Sequence, residues 1–495
     1  MGLPIEKDHF EEWEFERFEK RLRENLDALE LLLQRDGFGV GESSLGAELE
    51  LDLIDGACKP LAVNRDVLVQ HVDPRLQLEL TRFNLEYNLS PVPFTGKPFA
   101  TVQKEMELAL RSLEAPVAEY GGRVVTIGIL PTLRLDQLQG SSMTDLPRYR
   151  ALNSGLQRIR RAPFRIRIDG DEPLDLTCDD VTLEGANTSF QVHLRINPEA
   201  FADTYNAAQL ITPIAVAACG NSPVFLEHCL WEETRIALFK QAVDARSANT
   251  GEWRRAARVP FGHGWIRRGA LELFAEAVRL FPPVLPVCDD EDPMEAVNEG
   301  RIPRLAELRM QQGTVWQWNR AIYDPGSGGH LRIEFRTLPS GPTPLDMMAN
   351  AALIIGMTIG MRKKINSLLP AFPFRYAEYN FYRASQNGLQ AELLWPTKLG
   401  ISPEQHTAAE LVKRFLPVAL EGLAELGIDD DEAKTLMNVI DNRVRSGITA
   451  SRWQRQLLAK IDRNHSRPEA LAAMLAIYEK ESRTGSPVSE WPLDL

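Results

Sequence analysis

Four short segments of this chain alternate apolar and charged residues with a period of two. They are Gly46-Ala47-Glu48-Leu49-Glu50-Leu51-Asp52, the stretch from Leu76 to Leu89, Ser189-Phe190-Gln191-Val192-His193-Leu194-Arg195, and His330-Leu331-Arg332-Ile333-Glu334-Phe335-Arg336. A strand shows successive side chains to opposite faces, so each segment reads as a strand with one apolar and one charged side. If the four share a sheet, Leu, Ile, Val and Phe line one face. The other face gathers Glu48, Glu50, Glu79, Glu86, His193, Arg332, Glu334 and Arg336.

Glu48, Glu50 and Asp52 stand at i, i+2 and i+4 on one face. Like charges side by side on a sheet are destabilising, and a divalent cation between them removes that cost. In the second segment Leu76, Leu78 and Leu80 are apolar at even positions, then Phe83, Leu85, Tyr87 and Leu89 at odd ones. The phase slips near Thr81-Arg82, as at a β-bulge or short break. Across the slip Glu79 and Glu86 land on the same face, with Asn84 and Asn88. Gln191, His193 and Arg195 oppose Phe190, Val192, Leu194 and Ile196, and His330, Arg332, Glu334 and Arg336 oppose Leu331, Ile333 and Phe335. Taken singly, each is an ordinary solvated strand face. Together they place a metal-capable residue on four otherwise apolar strands.

Carboxylate oxygens suit Mg²⁺ or Mn²⁺, which keep waters and bridge phosphates. Arginine offers a planar fork for phosphate oxygens. This set points to Mg-ATP chemistry rather than zinc hydrolysis. The chain has no Walker A sequence and no HExxH, and Gly37-Phe38-Gly39-Val40-Gly41 precedes a strand, so it reads as a turn. The net charge of -13 argues against a general nucleic-acid binder. Five cysteines without CxxC spacing argue against a disulfide framework or thiolate zinc site. The start lacks a basic segment followed by an apolar one, and the apolar stretch from Met347 to Met361 is short for a bilayer and reads as a buried helix. The expectation is a cytoplasmic protein without membrane or nucleic-acid partners. Association into a homo-oligomer is left open.

Helical spacing marks about 10–35, 104–120, 141–160, 199–219, 224–245, 343–367, 407–426, 430–446 and 450–480, with a hairpin over 161–180 and a loop over 281–303. Strands spread over ~300 residues with helices between them predict one α+β domain. Its expected parts are an N-terminal helix over 1–40, a catalytic region over 41–400, a helical region over 401–481, and a mobile tail over 482–495.

Gly46-Ala47-Glu48-Leu49-Glu50 resembles the first-strand GxExE of the glutamate–cysteine ligase type 2 family of carboxylate–amine ligases. Glu79 with Glu86 is similar to its second acidic strand, Gln191-Val192-His193-Leu194 to its QVHV-type strand, and Arg332-Ile333-Glu334-Phe335-Arg336 to its late (I/V)ExR strand. The resemblance runs over roughly 40–460. It implies a glutamine-synthetase-like fold, whose curved antiparallel sheet holds Mg²⁺ or Mn²⁺. It also implies a reaction in which ATP phosphorylates the γ-carboxylate of glutamate and the amine of cysteine, or another amine, attacks the acyl phosphate. Carried over, Glu48, Glu79 and Glu86 would hold one metal, and Glu50, His193 and Glu334 another. Arg336 and Arg332 would contact the phosphates, and Arg235 a substrate carboxylate. Trp316-Gln317-Trp318-Asn319-Arg320 is a candidate for the acceptor pocket. The same chemistry on another carboxylate or amine, a non-catalytic binding protein on a ligase fold, and a metal-dependent hydrolase are the alternatives.

Overall fold

The computed structural model describes residues 5–246, 255–396 and 403–493, built around a curled antiparallel sheet of seven strands. We number them β1 (Ser44–Asp55), β2 (Leu76–Leu78), β3 (Asn84–Pro93), β4 (Gly122–Val125), β5 (Phe190–Ile196), β6 (Asn319–Asp324) and β7 (His330–Phe335). Their spatial order is β6-β7-β5-β1-β3-β2, with β4 paired to the far end of β1. All four charged segments therefore lie in one sheet.

The period-two pattern explains the two faces. On β1, Leu45, Leu49, Leu51 and Leu53 are fully buried, while Glu48 and Glu50 stay half-buried on the other side. Burying each such leucine stabilises the fold by about 1.5–3 kcal/mol. The apolar face is backed by helices, among them Pro98–Ala118 against β3 and Pro344–Arg362 against β5. The latter helix is long and apolar enough to cross a membrane, but it packs against the helices Phe201–Cys219, Ala408–Glu425 and Asp430–Ser446 inside the protein. Two glycines permit that packing. A Cβ on Gly422 would sit 2.0 Å from the Gly356 carbonyl oxygen, and one on Gly356 would sit 2.6 Å from that of Ala419.

Several expectations need correction. The segment 76–89 is not one strand with a bulge but a hairpin: β2 runs back along β3, pairing Gln77 with Glu86. Its reversal still leaves Glu79 on the side of Glu86. Residues 224–245 begin with a short hairpin, and only Arg235–Ala242 is helical. The loop 281–303 contains the helix Pro293–Asn298, whose N-cap Asp292 accepts from the amides of Met294 and Glu295. The 450–480 region is two helices, Ala450–Ile461 and Arg467–Ser482, divided where Ser466 caps the second ahead of Pro468. The tail expected to be mobile is packed through residue 493. The Trp491 ring lies 5.1 Å from Trp453 and 5.3 Å from Tyr478, and the Val488 amide donates to Asp346.

Candidate active site

Register decides which acids meet. His193 of β5 faces Gly46 of β1 on one side and Glu334 of β7 on the other. Gly46 has no side chain, so the imidazole leans toward the next residue on that face, Glu48. His193 Nε2 lies 3.3 Å from Glu48 Oε1, outside hydrogen-bond geometry. One ligand atom each from Glu48, His193 and Glu334 falls within 4.8 Å of the others. Both ring nitrogens of His193 are buried without a hydrogen bond. An imidazole left orphaned among carboxylates suits a divalent cation, so these three residues fit a metal site.

Glu50 stands one step further along, directly across from Glu86. It is held by the Ser189 amide at 2.6 Å and by Gln191 Nε2 at 2.9 Å. Removal from water and the neighbouring Glu79 raise it to about 7. Loss of water raises Glu79 as well. Glu86 is pushed well above its ordinary value by the same cause, reinforced by Glu48, Glu79 and Glu50. Glu50, Glu79 and Glu86 thus form a second acid group beside the first. The resemblance groups Glu48 with Glu79 and Glu86, and Glu50 with His193 and Glu334; the geometry brings Glu48 together with His193 and Glu334 and sets Glu50 across from Glu86, with Glu48 also near Glu86 and Glu79. Asp52, the third acid of β1, is buried and accepts from Asn84 Nδ2 at 2.7 Å, away from the cavity wall.

Arginines edge the first group. Arg320 of β6 grips Glu334 with a fork, Nε to Oε2 at 2.5 Å and Nη2 to Oε1 at 3.0 Å. Arg336 Nη1 reaches Glu334 Oε1 at 3.0 Å and also donates to Gln191. Burial would raise Glu334, but Arg320 and Arg336 outweigh it and hold the carboxylate well below its usual range. Burial likewise opposes ionisation of Glu48, and His193 reverses the sign. Arg332, opposite Arg195 across the β5–β7 pair, is tied to Asp324 at 3.1 Å.

These groups line a cavity of about 640 Å³. Of the residues expected in the site, Glu48, Glu50, Glu79, Glu86, His193, Arg332, Glu334 and Arg336 all line it. Arg235 does not. It is 2% exposed, pairs with the equally buried Glu233 at 2.8 Å, and donates to the Thr337 carbonyl at 2.9 Å. It packs beneath the end of β7. Trp316 and Arg320 border the cavity, whereas Trp318 packs into the core. Sequence reasoning missed Arg148, Glu184 and Arg309 on the wall. None lies on a charge-alternating strand, so no periodicity could have flagged them. Removal from water, with Glu79 and Glu50 nearby, raises Glu184 to about 8.

With this geometry in view, comparison with known proteins is informative. Residues 44–258 match the family described as Glutamate-cysteine ligase family 2 (GCS2). The match takes in the first three charged strands, and β7 lies beyond it. Glutamate–cysteine ligase from Francisella tularensis in complex with AMP is similar in fold, with a TM-score of 0.56 at 10% identity over 92% of this chain and 91% of that one. A bifunctional glutathione synthetase from Pasteurella multocida gives 0.44 at 10% identity over 93% of this chain and 55% of that one. The complex of the ubiquitin-like protein Pup with its ligase PafA gives 0.36 at 10% identity over 86% and 71%. No curated protein matches by sequence. The α+β fold with a curled antiparallel sheet is that of glutamate–cysteine ligase structures.

Proposed function

We propose that this chain is an ATP-dependent carboxylate–amine ligase of the glutamate–cysteine ligase type, joining the γ-carboxylate of glutamate to the amine of cysteine or another acceptor. The observation that carries this reading is the convergence of Glu48, His193 and Glu334 within 4.8 Å, beside a second acid group and under the Arg320 and Arg336 guanidinium groups. The GCS2 match over residues 44–258 supports it independently.

Glu48, His193 and Glu334 would hold one Mg²⁺ or Mn²⁺, and Glu50, Glu79 and Glu86 another. Divalent cations held by these residues would supply neutralisation of phosphate charge, which opposes repulsion between two anionic reactants. Arg336 is anchored between Gln191 and Glu334, so its guanidinium is fixed before substrate arrives. Arg336 and Arg332 place donors for phosphoryl oxygens along the β7 wall. Transfer of the γ-phosphoryl group to the donor carboxylate gives an acyl phosphate and ADP. The acceptor amine then forms the C–N bond, the C–O bond to phosphate breaks, and the ammonium proton is released. No cysteine lines the cavity, in keeping with a route that needs no covalent protein nucleophile.

The test is direct. Purified protein with Mg-ATP, glutamate and cysteine should release ADP and phosphate in step with a γ-glutamyl product seen by mass. An acceptor screen scored by ADP release finds another amine if cysteine is not used. Failure to release ADP with every amino acid and amine tested would overturn the proposal, and activity without ATP would mark a hydrolase instead.

A further inference from the structure

We infer that Arg148 and Glu184 form a clamp for an α-amino-acid zwitterion, Glu184 taking the ammonium and Arg148 the α-carboxylate. The inference rests on the ligase reading for its place in the reaction, but not for its binding geometry.

Both residues line the main cavity at its acid end, next to Glu79. Arg148 enters from the first turn of the helix Pro147–Arg160, and Glu184 from the turn Thr182–Ala186 just before β5. They attract one another and Arg148 also attracts Glu79, yet among the described residues neither closes an ion pair or side-chain hydrogen bond. Arg148 is exposed and merely lies over the Tyr149 ring at 5.2 Å. An arginine and a glutamate thus face one cavity without pairing to each other.

The backbone that carries these two side chains is hydrogen-bonded and closely packed. Thr182 is fully buried and donates to the Leu138 carbonyl at 2.8 Å. Asn187 Nδ2 donates to the Glu184 carbonyl at 2.7 Å. A Cβ on Gly185 would stand 2.2 Å from Thr81 Cγ2, so the turn is pressed against the β2–β3 connection. On the other side, Tyr149 is buried and its hydroxyl donates to the Leu78 carbonyl at 2.9 Å, fixing the helix start that presents Arg148. Side chains carried on such supports are preorganised for a ligand.

The chemistry narrows the ligand. With Glu79 engaged by a cation, Arg148 would be left without an anionic partner. A simple amine would leave Arg148 unanswered, and a second carboxylate at Glu184 would be repelled. An ammonium and a carboxylate on one carbon satisfy both. Either substrate of the proposed reaction has that group, so the clamp could hold the donor or the acceptor.

Calorimetry on the whole protein with Mg²⁺ and a non-hydrolysable ATP analogue separates the two. Glutamate is compared with 4-aminobutyrate, and cysteine with cysteamine, each pair differing by the α-carboxylate. Wild-type protein should bind one amino acid at least tenfold tighter than its decarboxylated partner, and Arg148→Ala should abolish that discrimination. The pair affected names the donor or the acceptor. Glu184→Gln should weaken the same amino acid about tenfold without changing the affinity of its N-acetyl derivative. No discrimination by wild type, or equal discrimination in wild type and Arg148→Ala, overturns the clamp. Because binding is read, absence of ADP release would sink the ligase reading while leaving this result intact.

Discussion

The two acid groups of the cavity are both built around glutamates, and both draw one from β1, yet Glu334 of the first and Glu86 of the second behave oppositely. Glu334 is held far below its ordinary range, and Glu86 is driven far above it. Loss of water acts on both in the same direction. The difference is the company: Glu334 has Arg320 and Arg336 in contact, while Glu86 has Glu48, Glu79 and Glu50. One half of the site is ionised by the protein itself. The other half becomes fully ionised only when a cation arrives.

The sharpest way to break this contrast is Arg320→Ala. It would strand a carboxylate that is 1% exposed, and loss of one partner from a buried pair costs about 3–5 kcal/mol. Chemical denaturation should show a loss of that order. A change under ~1 kcal/mol would mean that Arg336 alone suffices.

Next in size, Glu48→Gln or Glu334→Gln should cut turnover by about 10²–10³-fold, the cost of removing one preorganised electrostatic group. Circular dichroism should report a retained fold. Near wild-type turnover in either variant would remove that residue from the site.

The acid half sets a pH dependence in cation-free protein. Glu50 titrates near 7 in the fold, above the ordinary glutamate value of about 4.3. A raised carboxylate favours the protonated fold, so its stabilising effect is complete below about pH 4.3 and is lost as pH rises through 7. Glu184, near 8, extends that loss upward. Melting temperature without divalent cations should therefore fall between about pH 5 and 8, and Mg²⁺ should flatten the fall. Glu334 has the reverse sign, since its contribution is lost only in acid, below the usual carboxylate range. A cation-free melting temperature that climbs from pH 5 to 8 would contradict the assignment.

The smallest expected effect is Glu86→Gln in cation-free protein at pH 7. Burial and the neighbouring Glu48, Glu79 and Glu50 all disfavour a charge on Glu86, so a neutral amide should keep stability within ~1 kcal/mol of wild type and shift it upward if at all. The same change at Glu334 should destabilise, because it strips the half-buried Arg320 and Arg336 guanidinium groups of their shared partner. Equal effects at the two positions would erase the distinction between the halves.

Much of this site was legible before any coordinates. Glu48, Glu50, His193, Glu334 and Arg336 could be assigned to a common face because a strand's two sides are set by local backbone geometry. Arg235 shows the limit. The resemblance implied a substrate contact for it, but its partner is Glu233 and its surroundings are core. Arg320 was seen in an aromatic stretch, yet nothing local revealed that Asn319–Asp324 pairs with β7 and turns its guanidinium onto Glu334.

What the primary structure determined by itself is therefore the set of charged faces and the residues each one carries, since side-chain alternation is a property of consecutive peptide units. Tertiary structure alone decided the company each acid keeps. Strand register aligned His193 with Gly46 and Glu334, which brought Glu48 rather than Glu50 to the imidazole, and the reversal at Thr81-Arg82 folded β2 back onto β3. Register and reversal are settled by packing across the whole sheet, and no short window of residues contains that information.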